Sequence, residues 1–196
     1  MENAGVILYV DEPETEELFI VAGLLVVSKQ DVEMVFKRFK KRAKNLVLSA
    51  KYKARLFNEF KSVIMDKDYQ KLKMEMLSQL NTIHYRIIFS SQMKNGTSFT
   101  QKEKERAYIN MISSIAIDAE EQTDIFFDCF NNQSFENAII KKLESIQNVR
   151  QSSPTVSETD KGIILIDNIC SVLRLHLTHK DKNRVHDLIS QNIKKI

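Results

Sequence analysis

The chain has 196 residues, 43% of them hydrophobic and 28% charged, and a net charge of +3. That composition excludes a collagen-like, low-complexity or wholly disordered chain, and the length suffices for one well-filled core. Four glycines and two prolines point to long elements with short connections, and two cysteines are too few for a disulfide framework or a zinc ribbon.

Residues 5–10 (GVILYV) form a short, branched, apolar run that ends in Asp11-Glu12. The run reads as a buried strand presenting carboxylates at its C-terminal end. Pro13 stops it, and the apolar run 18–27 is a second strand, joined to the first as a hairpin. Ser28, with Asp31 three residues on, caps a helix over 29–44 whose apolar face carries Val32, Val35, Phe36 and Phe39. Residues 55–61 alternate imperfectly and read as a strand. Helical spacing returns over 66–80 through Tyr69, Leu72, Met76 and Leu80. A strand over 84–90, a loop at Asn95-Gly96 and a long amphipathic helix over 101–122 come next. Residues 124–130 (DIFFDCF) form a dense strand, and Ser134 caps a helix to about 146. The polar stretch 147–161 reads as a loop, or as a poor edge strand plus a loop. An apolar helix over 162–178 and a short terminal helix over 184–195 close the chain. Strands that begin as a hairpin and then alternate with helices predict one α/β domain over 1–196, with a mixed sheet flanked by helices and C-terminal helices over 162–196.

No apolar stretch approaches the roughly 20 residues a membrane span needs. The acidic N-terminal flank is unlike a signal peptide, and cysteines set in apolar runs suit a reducing compartment, so the expected location is cytoplasmic. Charge is unevenly spread. Residues 29–61 hold eleven lysines and arginines against three acids, whereas residues 11–17 hold five acids. Lys37, Arg38, Lys40, Lys41, Arg42, Lys51, Lys53 and Arg55 form a candidate surface for a phosphate backbone, although such a run is more often a solvated helix face. His176 and His179 have helical spacing to share a metal, with His186 further on, but no third ligand stands at a matching interval. No glycine-rich phosphate loop is present. Cys129 and Cys170 read as core thiols rather than nucleophiles.

Four acids share an unusual setting. Asp11 ends the first strand, Glu59 lies between Phe57 and Phe60, Asp128 sits within IFFDCF, and Asp167 within GIILIDNICSVL. A buried carboxylate must be paired, protonated or metal-bound, or must sit at the edge of its element. Any one of them has an ordinary explanation in a lysine or a backbone amide. Several converging at one end of a sheet would make a hard-oxygen site for Mg²⁺ or Mn²⁺, the arrangement that clamps attacking and leaving oxygens of a phosphodiester.

At these residues the chain resembles the DUF3800 family, a group of domains assigned an RNase H-like fold. Ile7-Leu-Tyr-Val-Asp-Glu12 and the following apolar strand resemble the family's opening, and Glu59-Phe60-Lys61 its Glu-X-Lys motif. Ile125-Phe-Phe-Asp128 matches its later strand, and Ile163-Ile-Leu-Ile-Asp167 its C-terminal helix. The resemblance runs from about residue 6 to 179. The family's Ser-Gly after Asp-Glu is here Pro13-Glu14, and its Gln and Ala before the last Asp are Ile164 and Ile166.

The resemblance implies a metal-dependent nuclease of bacterial defence or mobile-element biology. Asp11, Glu59, Asp128 and Asp167 would be catalytic metal ligands, and Glu12 a further metal ligand. Lys61 would steady the scissile phosphate or a ligand carboxylate. Nucleic acid, DNA or RNA, is the expected partner, with a protein partner or a second copy also open. The departures at Pro13 and Ile164 support an alternative, a catalytically silent binding or regulatory subunit of a defence complex.

Overall fold

A computed structural model of the chain describes residues 5–46, 67–94, 98–156, 160–181 and 184–196. These form strands β1 (Val6–Asp11), β2 (Leu18–Val26), β3 (Tyr85–Met93), β4 (Thr123–Asp128), β5 (Val149–Thr155) and β6 (Ile193–Lys195). The helices are α1 (Lys29–Ala43), α2 (Lys67–Leu80), α3 (Gln101–Asp118), α4 (Gln133–Glu144) and α5 (Lys161–Leu177). The strand expected at 55–61 lies outside the described residues, as do Lys51, Lys53, Arg55, Glu59, Lys61 and the Asn95-Gly96 loop.

The strands make one mixed sheet in the order β5-β4-β1-β2-β3-β6. The β1–β2 hairpin is antiparallel, with Asp11 opposite Ala22, and β2–β3 is antiparallel too. The pairs β1–β4 and β4–β5 are parallel. Helices cover both faces, which is why all nine residues of β2 can be apolar or glycine and buried. Alternation sorts the strands' side chains between two layers. Tyr9, Ile20, Leu24 and Ile87 pack on α1, α2 and α5. Leu8, Val10, Val21, Ile125 and Phe127 pack on α3 and α4.

Several boundaries differ from the sequence expectations, each for a local reason. The helix expected to reach 122 stops at Asp118, because Glu120 takes a left-handed conformation (φ 65°) and Arg86 Nη2 donates to the Ala119 carbonyl at 2.9 Å. Asn132, not Ser134, caps α4, its side chain accepting from the Phe135 N–H at 3.2 Å. The polar stretch after α4 does hold a strand. β5 includes Pro154, which lacks a donor, so it sits at the sheet edge. The terminal helix expected over 184–195 is instead two 3₁₀ turns and β6, which pairs with β3.

Helix α5 is apolar nearly all round and is buried accordingly. No helix among the described residues is long and apolar enough to cross a membrane. Asp160 caps α5, accepting from the Gly162 N–H at 2.7 Å, and Lys161 pairs with Glu33 of α1. Gly162 lies flat against the Tyr9 ring of β1, and a Cβ there would overlap the ring carbons. This close approach sets how near α5 comes to the sheet. Gly162→Val is expected to destabilise the fold by roughly 1–3 kcal/mol through overpacking, read as a lower urea midpoint at unchanged m-value; an unchanged midpoint would show that Tyr9 can move aside.

Candidate active site

Parallel pairing fixes the first two acids. Val10 is opposite Phe127, so Asp11 and Asp128 follow side by side at the C-terminal ends of β1 and β4. Such strand ends are where open α/β sheets place ligands. Alternation puts both carboxylates on the α1/α2/α5 face, in line with Tyr9 and Phe126, whose rings stack at 5.7 Å. Helix α5 brings the third. Cys170, one turn after Asp167, donates its thiol to the Asp11 carbonyl at 3.5 Å, which turns the Asp167 side of the helix toward the end of β1.

Asp11 feels the other two acids. Burial pushes the Asp11 carboxyl up to about 8, helped by the charges of Asp167 and Asp128 and opposed by the Glu12 backbone N–H. Asp128 accepts from the Cys129 N–H at 3.0 Å. The Cys170 thiol is pushed well above its usual range by burial and by Asp11, Asp167 and Glu12, so it stays protonated and unreactive. Among the described residues, no three acidic, histidine or cysteine side chains close to the spacing of a metal cage. Asp11, Asp128 and Asp167 are electrostatic neighbours rather than a formed ligand set, and Glu59 lies outside the described residues.

Glu12 feels Asp11 and Asp128 but also faces the opposite layer. Its carboxyl borders a cavity lined by Phe19, Tyr108, Phe130 and Phe135, side chains of the α3/α4 layer. Burial raises it well above the usual carboxylate range, reinforced by Asp11, Asp128 and Glu14.

A residue not singled out from sequence completes the site's charge. Lys73 of α2 is fully buried and donates to Ser171 Oγ at 2.9 Å. Burial lowers its ammonium to about 8, Asp167 and Asp181 hold it up, and Arg174 opposes them. The signal was in the spacing. Lys73 precedes Met76, Leu77 and Leu80 at helical intervals, a place on the apolar stripe.

The expected basic face is formed on α1. Lys37, Arg38, Lys41 and Arg42 are exposed and Lys40 half-buried. Together with Met34 and Lys44, Lys37, Arg38, Lys40 and Lys41 line a groove of about 630 Å³. Two guanidiniums lean on α2 and its exit: Arg42 lies 3.7 Å from Glu75, and Arg38 donates to the Thr82 carbonyl at 3.4 Å. The histidines group differently from their spacing. α5 ends at Leu177, His179 turns away with φ 55°, and His176 stacks on His186 at 3.7 Å between ring centres.

No protein-family model and no curated protein matches the chain. Among solved structures it is similar to RNase HII from Archaeoglobus fulgidus, in its complex with PCNA. The match covers 91% of this chain and 76% of that one, with a TM-score of 0.53 at 10% identity. The fold is RNase H-like. The expected fold class therefore holds: a mixed sheet with helices on both faces, and Asp11 and Asp128 at the ends of its central parallel strands.

The proton on Asp11 gives a pH signature. The folded protein keeps it to about pH 8, while an unfolded chain releases it near the ordinary value of 3.8. The native state then binds more protons between those limits, so stability falls as pH rises through that window. Asp11→Asn removes this dependence. In urea unfolding with EDTA present, the variant is expected to exceed the parent by roughly 1 kcal/mol or more at pH 8, an advantage that fades toward pH 4. Equal pH profiles would mean that Asp11 ionises freely.

Proposed function

We propose that the protein is a divalent-metal-dependent nuclease hydrolysing phosphodiester bonds of nucleic acid. The observation that carries this reading is the convergence of Asp11, Asp128 and Asp167, from β1, β4 and α5, at one end of the sheet in an RNase H-like fold. The DUF3800 resemblance arrives at the same acids and adds Glu59 and Lys61.

The donor set suits a hard cation. All the oxygens are carboxylate, and Asp11 is buried among like charges, which raises its pKa and would favour a positive charge beside it. Asp11, Asp128, Asp167 and Glu59 would hold Mg²⁺ or Mn²⁺. When bound, such an ion supplies Lewis-acid charge at a phosphoryl oxygen and makes water a better nucleophile near neutral pH. The chain's own residues do the rest. Strand pairing sets the backbones of Asp11 and Asp128 side by side. Lys73 sets a positive charge near Asp167. The lysines of α1 lie on the same face of the sheet as the acids and suit a phosphate backbone.

One observation favours the silent-subunit alternative: among the described residues, the acids do not close into a metal cage. Cleavage assays separate the two readings. Single- and double-stranded DNA and RNA are incubated with Mg²⁺, Mn²⁺ or EDTA. The nuclease reading expects metal-dependent cleavage that drops at least about 100-fold in both Asp11→Asn and Asp167→Asn. Full cleavage by both variants would sink the assigned site, and Mn²⁺ binding without cleavage of any substrate would favour the silent subunit. A Lys37→Gln/Lys41→Gln variant is expected to bind nucleic acid more weakly, with a salt slope shallower by about one per lost phosphate contact.

A further inference from the structure

The cavity beside Glu12 is not used by the chemistry above. It opens on the α3/α4 side of the sheet and has a volume of about 210 Å³. Its walls are aromatic. Phe130 meets Tyr108 edge-on at 4.9 Å and Phe135 edge-on at 4.8 Å.

Two of its lining residues each hold a buried polar atom without a hydrogen-bond partner: Glu12 Oε2 and the Tyr108 hydroxyl. Tyr108 is only 1% exposed. A buried polar atom left unpaired is costly, and native proteins rarely keep two together. The charge is lopsided as well. Glu12, Glu14 and Glu105 face one ammonium, Lys104, and its Nζ is already bonded to Glu14 at 2.7 Å.

These features select the ligand's chemistry. An excess of carboxylates repels phosphates and carboxylic acids. Aromatic faces attract cations through their quadrupoles. Carboxyl and phenol oxygens can both accept, and a planar group with several N–H donors satisfies both at once. A guanidinium has that shape, stacks on rings and sheds water more readily than an ammonium. Divalent metal fits less well than at the aspartates, because Phe19, Tyr108, Phe130 and Phe135 take up much of the lining that would have to supply oxygen ligands.

We propose that this cavity binds an organic cation of the guanidinium class, held by Glu12 and Tyr108 against the Phe130 and Phe135 rings. The source is either a free small molecule or an arginine side chain of another protein, and the chemistry at the cavity is shared.

The test uses the full chain in EDTA without nucleic acid, with agmatine followed by calorimetry and NMR. Agmatine is expected to bind, and its ureido analogue, which keeps the ammonium but carries a neutral urea in place of the guanidinium, at least about tenfold more weakly. Glu12→Gln is expected to weaken agmatine at least tenfold and Tyr108→Phe severalfold, while Lys104→Ala, which removes the resident cation, does not weaken it. Circular dichroism checks folding, and if Glu12→Gln misfolds, Tyr108→Phe and the ureido comparison still decide. Stronger binding of agmatine than of an N-acetyl-arginine amide assigns a small molecule, and the reverse assigns an arginine side chain. Equal binding of the ureido analogue, undiminished binding by Glu12→Gln and Tyr108→Phe, or no binding at all would overturn the proposal. So would Mn²⁺ binding, titrated separately without EDTA, that depends on Glu12 and displaces agmatine, because it would return Glu12 to the metal site. Nuclease activity enters none of these readouts.

Discussion

Two carboxylates held side by side in an apolar setting are the constraint on which the rest of this structure turns. Parallel pairing of β1 with β4 leaves Asp11 and Asp128 adjacent at the strand ends, and α5 adds Asp167 to the same field. Left alone, such a group keeps its proton or draws a cation. The surroundings answer partly in kind. A backbone N–H bonds Asp11 and another bonds Asp128, and Lys73 is sunk into the core behind Asp167. A buried lysine is a poor choice for stability, since desolvation offsets much of what its attractions return. Its position makes sense as a counter-charge for acids that have to remain acids.

The sheet also divides labour. Neighbouring residues of a strand point to opposite faces, and the chain passes from Asp11 to Glu12 where that rule matters most. Asp11 belongs to the layer of α1, α2 and α5, and Glu12 borders a cavity of the α3/α4 layer. Two adjacent acids that look like one motif in the sequence therefore serve two environments. Both layers depend on close approach of helix to sheet. Gly162 lies against Tyr9 on one side, and Gly23 accepts Leu8 and Ile115 on the other.

Much of this was legible in the residues. The apolar runs of β1, β2 and β4 are long, branched and bounded, so local preference and tertiary burial agree. The capped helix α1 also declares its start, with Ser28 accepting from the Asp31 N–H three residues on. What was hidden is what depends on partners distant in sequence. β5 is polar and contains Pro154, and it becomes a strand because β4 offers an open edge. β6 follows two short turns and forms because β3 has an edge to fill. Of the site, Asp11, Asp128 and Asp167 stood out because acids inside apolar runs are conspicuous. Lys73 did not, because the eye credits a lysine to the solvated face even when its spacing says otherwise. The opposed directions of Asp11 and Glu12 could have been read from the period of a strand alone.

The two flanks of the sheet bear on how the molecule behaves in a crowded solution. A sheet whose central strand is nine residues of unbroken apolar character would, if exposed, template other chains into fibrils. Here the outer positions go to strands unsuited to that role. One rim is β5, with its missing donor at Pro154, and the other is β6, three residues long with Lys194 and Lys195 in it. The rims thus act as gatekeepers against self-association, and the interior strands can be as hydrophobic as the fold requires without making the protein sticky.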